Sequence, residues 1–282
     1  EPTPADEAEE TEKGNPFARL AELLPRLGHT EGTEDTEPIA PPHVCAAPNG
    51  YEQSIAGSEK AKAGRMKKFF FEQRNRVLGK LKAVNLGVTK SLDDLWDADD
   101  ENQKLHQTLD PSLRLDLEFG GAQLFNEIGA GIDFNLPPSE AMAFLAKRAN
   151  VISGINDTTW DETKASLLEG LAQGDSTADL AQRVKDVFGA SDSRAWTIAI
   201  TETNVAVNSG RHLGMKQAGV KRKGWLTAHL EHTRITHLAN ESLSKNQNGI
   251  GIDDVWPNGC SYPGDPGGAA GETINCHCVG FA

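Results

Sequence analysis

Two cysteines one residue apart, Cys276 and Cys278, stand near the end of a 282-residue chain that has only four. Four thiols are too few to staple a chain of this length, so the pair points to local chemistry: a metal, a redox couple, or two small residues buried on a strand. Tetrahedral zinc takes thiolate sulfur and imidazole nitrogen. His237 on an earlier turn, with Cys276 and Cys278 on a later strand, makes a workable three-ligand set, and Cys260, His229 or His232 is available as a fourth ligand. A structural Zn2+ is one expectation. The other is a metal-free fold in which a hydrogen-bonded histidine lies beside two buried thiols, since Cys-x-Cys chelates less conveniently than Cys-x-x-Cys. Both stay open on sequence.

A hydrolytic arrangement can also be drawn. His237, Asn275 and His277 around a divalent ion would suit a metal-dependent nuclease of His-Asn-His type. It lacks support nearby, because Glu231-His232 is the one adjacent pair of carboxylate and base and His277 sits between cysteines. Glu202 has Arg194 eight residues before it and Arg211 nine after, but no second carboxylate at helical spacing. It therefore reads as a polar bridge to the Thr233-Arg234 turn and not as a catalytic acid. The expectation is a protein that is not an enzyme.

The elements that must position these residues are mostly helices. From Glu59 to Lys82, Met66, Phe69, Phe70, Val77 and Leu81 are spaced along one side of a long helix. Pro111 to Ile128 predicts a helix with Leu113, Leu117, Leu124, Phe125 and Ile128 inward, ended by Gly129 to Gly131. Pro137-Pro138-Ser139-Glu140 opens another, Asn156-Asp157 reads as the cap of the next, and Gly174 as its stop. Ser176 with Asp179 forms a capping-box pattern, and Ser191-Asp192-Ser193 starts a helix through Trp196, Ile198 and Val205 to about Met215. After Gly219 the pattern changes: Lys221 to Ala228 reads as a strand, and the remainder of the chain is rich in Pro and Gly turns. The fold class expected is α+β, with a helical region over 58–190 and a small turn-rich, β-containing unit over 191–282. The last 60 or so residues have little core of their own, which is where a structural metal is useful.

Charge is unevenly placed. The net charge of −13 argues against a surface that coats nucleic acid as a whole. Residues 1–50 hold eleven acidic and three basic residues, a net of −8, in a Pro- and Thr-rich composition. We read 1–57 as an acidic leader of linker type, with a short amphipathic piece from Phe17 to Leu24. Residues 59–82 reverse the sign, with nine basic residues against two Glu. Lys62, Lys67, Lys68, Arg74 and Arg76, with Lys221, Arg222 and Lys223, are the candidates for non-specific contact with double-stranded DNA; the alternative is a solvated face over an apolar stripe. No apolar run is long enough to span a bilayer and the first residues are acidic, so no membrane helix or signal peptide is expected. The absence of an initiating Met leads us to expect a trimmed, processed or excised N-terminus.

Three ordered blocks carry a resemblance. They are Arg194-Ala-Trp-Thr-Ile-Ala-Ile-Thr-Glu-Thr-Asn204 followed by Asn208 and Gly210; Gly219-Val-Lys-Arg-Lys-Gly-Trp225 leading into His232-Thr-Arg-Ile-Thr-His237; and Pro257-Asn-Gly259, Tyr262-Pro-Gly-Asp-Pro266 and Glu272-Thr-Ile-Asn-Cys-His-Cys278. Together they resemble the Mu protein F-like minor head proteins of tailed bacteriophages. The resemblance is sharp over about 190–280 and general over 58–190; His277 and Glu231 stand where the family pattern usually has Arg and Asp. It implies a minor capsid or head-morphogenesis protein, without catalytic residues, located in the virion inside the phage head and in the host cytoplasm during assembly. The partners implied are the portal protein and capsid or scaffold proteins, with a role in DNA packaging or ejection, and a place as the C-terminal part of a portal fusion. Related phage proteins carry ADP-ribosyltransferase modules, for which this chain has no room.

Overall fold

The computed structural model describes residues 51–83 and 92–282; the acidic leader up to residue 50, with the Phe17–Leu24 piece, lies outside the described residues. The first described helix, α1 (Tyr51–Ala83), already includes residues 51–57, which composition assigns to the leader. Its expected stripe of Met66, Phe69, Phe70, Val77 and Leu81 is buried. A 3-10 turn (Leu92–Leu95) leads to Asp97, whose carboxylate accepts from the Asp100 N–H at 3.0 Å and caps α2 (Ala98–Glu127). Asp99, Asp100 and Glu101 in its first turn favour the positive end of the helix dipole.

Pro111 does not begin this helix as expected but sits inside it. Leu105, Leu109, Leu113 and Leu117 run at four-residue spacing straight through the proline and are all buried, while Pro111 itself faces solvent. The apolar stripe outweighs the one backbone hydrogen bond that a proline removes. Ile128, expected in the core, is 37% exposed because the helix has ended.

The two helices expected on either side of Asn156-Asp157 are one, α3 (Pro138–Gln173). Asn156 caps nothing: it is buried, accepts from Gln73 Nε2 at 2.8 Å and donates to Asn102 Oδ1 at 2.8 Å. Gly174 closes α3 in the left-handed conformation, φ 79°. Ser176 and Asp179 form the expected capping box of α4 (Thr177–Val187), and a 3-10 turn (Phe188–Ala190) leads to α5 (Ser191–Gln217).

α5 packs along α2 at near contact of the two backbones. A Cβ on Gly210 would lie 1.8 Å from the Leu117 carbonyl oxygen, and one on Gly120 would lie 2.0 Å from that of Val207. Only glycine fits at either place. α1, α3 and α4 complete one apolar core that includes Phe144, Ile152, Leu167, Leu180, Val184 and Ala195.

The C-terminal unit begins with β1 (Arg222–Leu226), then α6 (Ile235–Gln247), β2 (Ile250–Gly251), a short α7 (Ala270–Thr273) and β3 (Val279–Phe281). The sheet has the order β2-β1-β3 and is antiparallel, with Lys223 opposite Ile250 and Trp225 opposite Gly280. Trp225, Trp256, Cys260, Cys276 and Cys278 form a second, smaller core. The architecture is α+β and mostly helical, as the sequence implies. Among the described residues, no helix is long and apolar enough to cross a membrane.

Candidate metal centre

His237 lies in the first turn of α6, not on an isolated turn, and Cys276 and Cys278 lie in the segment that enters β3, not on a strand. The helix escapes an apolar-period reading because its inward face is polar: Thr236, His237, Asn240, Glu241 and Ser244 are its buried residues. Ser244 Oγ accepts from the Trp225 N–H at 2.7 Å and joins α6 to β1.

The structure brings His237, Cys276 and Cys278 together, with one ligand atom of each within 4.8 Å of the others. Their exposures are 1%, 1% and 3%, so no ligand opens to solvent. His237 Nδ1 is 3.2 Å from Cys278 Sγ and 3.8 Å from Cys276 Sγ. Nε2 faces the other way, 3.0 Å from Glu272 Oε2. The same carboxylate oxygen accepts from Thr236 Oγ1 at 2.9 Å and Asn258 Nδ2 at 3.0 Å. An acceptor this well held takes the proton of Nε2, and Nδ1 faces the sulfurs.

The two thiols do not titrate alike. The hydrogen bond from Cys278, reinforced by His237 against the effect of burial, holds the Cys276 thiol below the usual thiol range. That same hydrogen bond to Cys276, together with burial, pushes Cys278 up. One negative charge on this pair is therefore favoured and a second is opposed, which is the situation a cation reverses.

Cys260 belongs to the same apolar cluster but falls outside the convergent group, and burial pushes its thiol up to about 12. His232 is exposed, and His229, half out in solvent, pairs with Glu241 at 3.0 Å. The nuclease arrangement is not assembled: His237 is buried against the cysteines, whereas His277 is exposed and lies within electrostatic reach of Glu59.

The segment carrying the cysteines is stitched to one face of α5. Thr201 Oγ1 accepts from the Asn275 N–H at 3.0 Å, and Asn275 has a left-handed φ of 52°. Asn204 and Asn208 each donate to the Cys278 carbonyl at 3.0 Å. Asn208 Oδ1 accepts from the Gly280 N–H at 2.8 Å, and Arg211 Nε donates to the Gly280 carbonyl at 2.7 Å. Positions 201, 204, 208 and 211 recur at helical spacing, so they share one face.

The other face of α5 holds the bundle. Glu202 pairs with Arg148 of α3 in a two-pronged buried contact, which corrects the expected bridge to the Thr233-Arg234 turn. Arg234 instead donates to the Ile274 carbonyl at 2.6 Å. Thr203 accepts from Lys62 Nζ at 2.9 Å, and Lys62 also pairs with Asp116. In Thr201-Glu-Thr-Asn204, consecutive side chains thus fasten the cysteine segment at Asn275, α3, α1 and the cysteine segment again at Cys278.

Lys62 and Lys223 are buried, which withdraws them as DNA contacts; Lys223 Nζ donates to the Ile252 and Asp254 carbonyls. Arg76 is held by Glu101, and Arg222 donates to carbonyls at the C-terminal end of α6, those of Gln247, Asn248 and Gly249. Lys67 and Lys68 remain on the surface in weak pairs with Asp192 and Glu72. Arg74 stacks over the exposed ring of Phe71, 4.8 Å from its centroid, and Lys221 faces solvent.

The closing turn, the α5 signature and the bundle side of α5 all fall within the stretch that comparison with known proteins picks out. The family model described as Phage Mu protein F like protein matches residues 161–281. An uncharacterized protein of Bacillus subtilis (strain 168), YqbB, is 24% identical over 210 residues, 71% of this chain. The match spans 66% of that relative's own length, just short of two thirds. No solved structure matches. Over residues 161–281, from the second half of α3 to β3, the chain carries a Phage Mu protein F like region.

Proposed function

We propose that this protein is a minor head protein of a tailed bacteriophage, which docks on the portal inside the head during assembly and acts without catalysis. The observation that carries the reading is the role of Thr201 to Asn204. Four successive side chains of the matched region are spent on fastening three pieces of the fold, the cysteine segment at two points, α3 and α1. The acidic residues a hydrolase would need are likewise committed: Glu202 to Arg148, Glu272 to three donors, Asp116 to Lys62. A rigid α5 joining bundle to sheet suits a part that transmits position between larger assemblies.

The test is the protein content of purified particles, with heads separated from tails and each quantified by mass spectrometry. The chain is expected in heads and depleted from tails. Equal presence in both fractions, or presence only in the lysate, rejects the assignment.

A further inference from the structure

We propose that His237 Nδ1, Cys276 Sγ and Cys278 Sγ bind one zinc ion, with Glu272 as the carboxylate that orients the histidine. The proposal is independent of the head assignment. It rests on three observations.

The first is spacing. A tetrahedral zinc with bonds of about 2.3 Å to sulfur and 2.0 Å to nitrogen requires nitrogen and sulfur to stand about 3.5 Å apart. The two separations found are 3.2 and 3.8 Å, which bracket that value. Both lie within about 0.3 Å of it, and the two sulfurs are themselves within 4.8 Å of each other.

The second is the orientation of the ring. Metal-bound imidazoles give their other N–H to a carboxylate, which fixes the tautomer and raises the basicity of the ligating nitrogen. Glu272 does this from α7, and is held by Thr236 and Asn258 whether or not a metal is present. A histidine serving only as a hydrogen-bond donor has no need of a doubly anchored acceptor behind it.

The third is enclosure. The Trp225 ring stands edge-on to His237, with centroids 5.0 Å apart, and the ring of Trp256 lies against Trp225 at 5.8 Å. With ligands almost fully buried, no substrate reaches the ion, so its role is to tie α6 to the segment entering β3. The Cys278 carbonyl passes that constraint directly to Asn204 and Asn208 of α5. Zinc is four-coordinate, and water is the smallest donor that completes the set. Cys260, outside the convergent group, receives no bond in this assignment.

The experiment measures zinc by elemental mass spectrometry in the full chain, expressed with zinc and purified without chelator. About one ion per chain is expected. The Cys276→Ser and Cys278→Ser chains should fall below about 0.2 per chain, whereas Cys260→Ser should keep the wild-type content. Glu272→Gln should still bind, with zinc affinity measured against a chelating dye weakened by about 10-fold or more. Because a cysteine variant can fail to fold, cobalt(II) is loaded into the wild-type chain as well. Tetrahedral cobalt with two thiolates should give intense visible bands and a sulfur-to-metal charge-transfer band. Wild-type chain with less than about 0.2 zinc and no such cobalt spectrum overturns the proposal, as does full zinc in Cys276→Ser and Cys278→Ser. Loss of zinc in Cys260→Ser as complete as in Cys278→Ser overturns the three-ligand assignment.

Discussion

Glu202 and Arg148 face each other across the interface of α5 and α3 with side chains only 4% and 5% exposed, and the guanidinium meets both carboxylate oxygens. A buried pair of this kind is costly to break from one side, because the remaining charge has no solvent to turn to.

Glu202→Ala and Arg148→Ala are therefore each expected to lower unfolding free energy by about 3–5 kcal/mol. Replacing both with apolar residues of similar size, Glu202→Leu with Arg148→Met, should recover most of the loss. Urea titration of the three variants checks this. A double variant no more stable than the singles would show that the pair is not acting as a charge pair.

Gly210 meets the Leu117 carbonyl where no Cβ fits. Gly210→Ala gains helix propensity and yet should destabilise by about 3 kcal/mol, since backbone on both sides must move. Gly154, with nothing near its Cβ position, supplies the contrast: Gly154→Ala should stabilise by up to about 1 kcal/mol. Thermal melts of the two alanine variants should move in opposite directions; a shared direction would refute the close approach of α2 and α5.

Much of this bundle is legible in sequence, and the failures have physical causes. The stripe of α1 and the capping box at Ser176 show because apolar spacing and local hydrogen bonds are written in adjacent residues. Asn156 misleads because an amide that satisfies a cap equally well satisfies Gln73 and Asn102 across the bundle. Lys62 looks like surface charge until Asp116, 54 positions away, is brought to it. α6 hides since its buried face is polar, and that face carries His237. His237, Cys276 and Cys278 can be picked out by residue type, but Glu272 behind His237 is a tertiary fact.

Stability should fall in mild acid through His212. Burial, with Lys223 and Lys216 nearby, holds its pKa down at about 4, against about 6.5 in the unfolded chain. Between these values the unfolded chain binds the extra proton, so stability rises with pH and is lost as pH falls from 6.5 toward 4. At pH 5 the loss from this group is about 2 kcal/mol relative to pH 7. His212→Phe, which keeps the ring stacked on Tyr262, should flatten that part of the profile. Lys223, lowered to about 8, changes protonation around that pH and stays protonated across most of the window. An unchanged slope between pH 7 and pH 5 in the variant would contradict the assignment.

Contact with DNA, if made by this chain, falls to Lys67, Lys68, Arg74 and Lys221, the candidates that the fold does not bury or tie to backbone carbonyls or a buried acid. Binding should be independent of base sequence and weaken steeply with salt. A chain beginning at Gly50 should bind more tightly than the full chain, since residues 1–50 bring a net −8. Salt titrations with unrelated duplexes decide it, and salt-insensitive or absent binding in both chains would assign the basic face to a protein partner.

The central claim, docking on the portal, is tested most directly by chemical cross-linking of assembling heads followed by mass spectrometry of the linked peptides. Links between the portal protein and lysines of α1 such as Lys67 and Lys68 are expected in heads before DNA is packaged, and their loss is expected when Glu202→Ala loosens α5. Heads in which this chain is abundant but cross-linked only to the major capsid protein, or to nothing, would contradict the account.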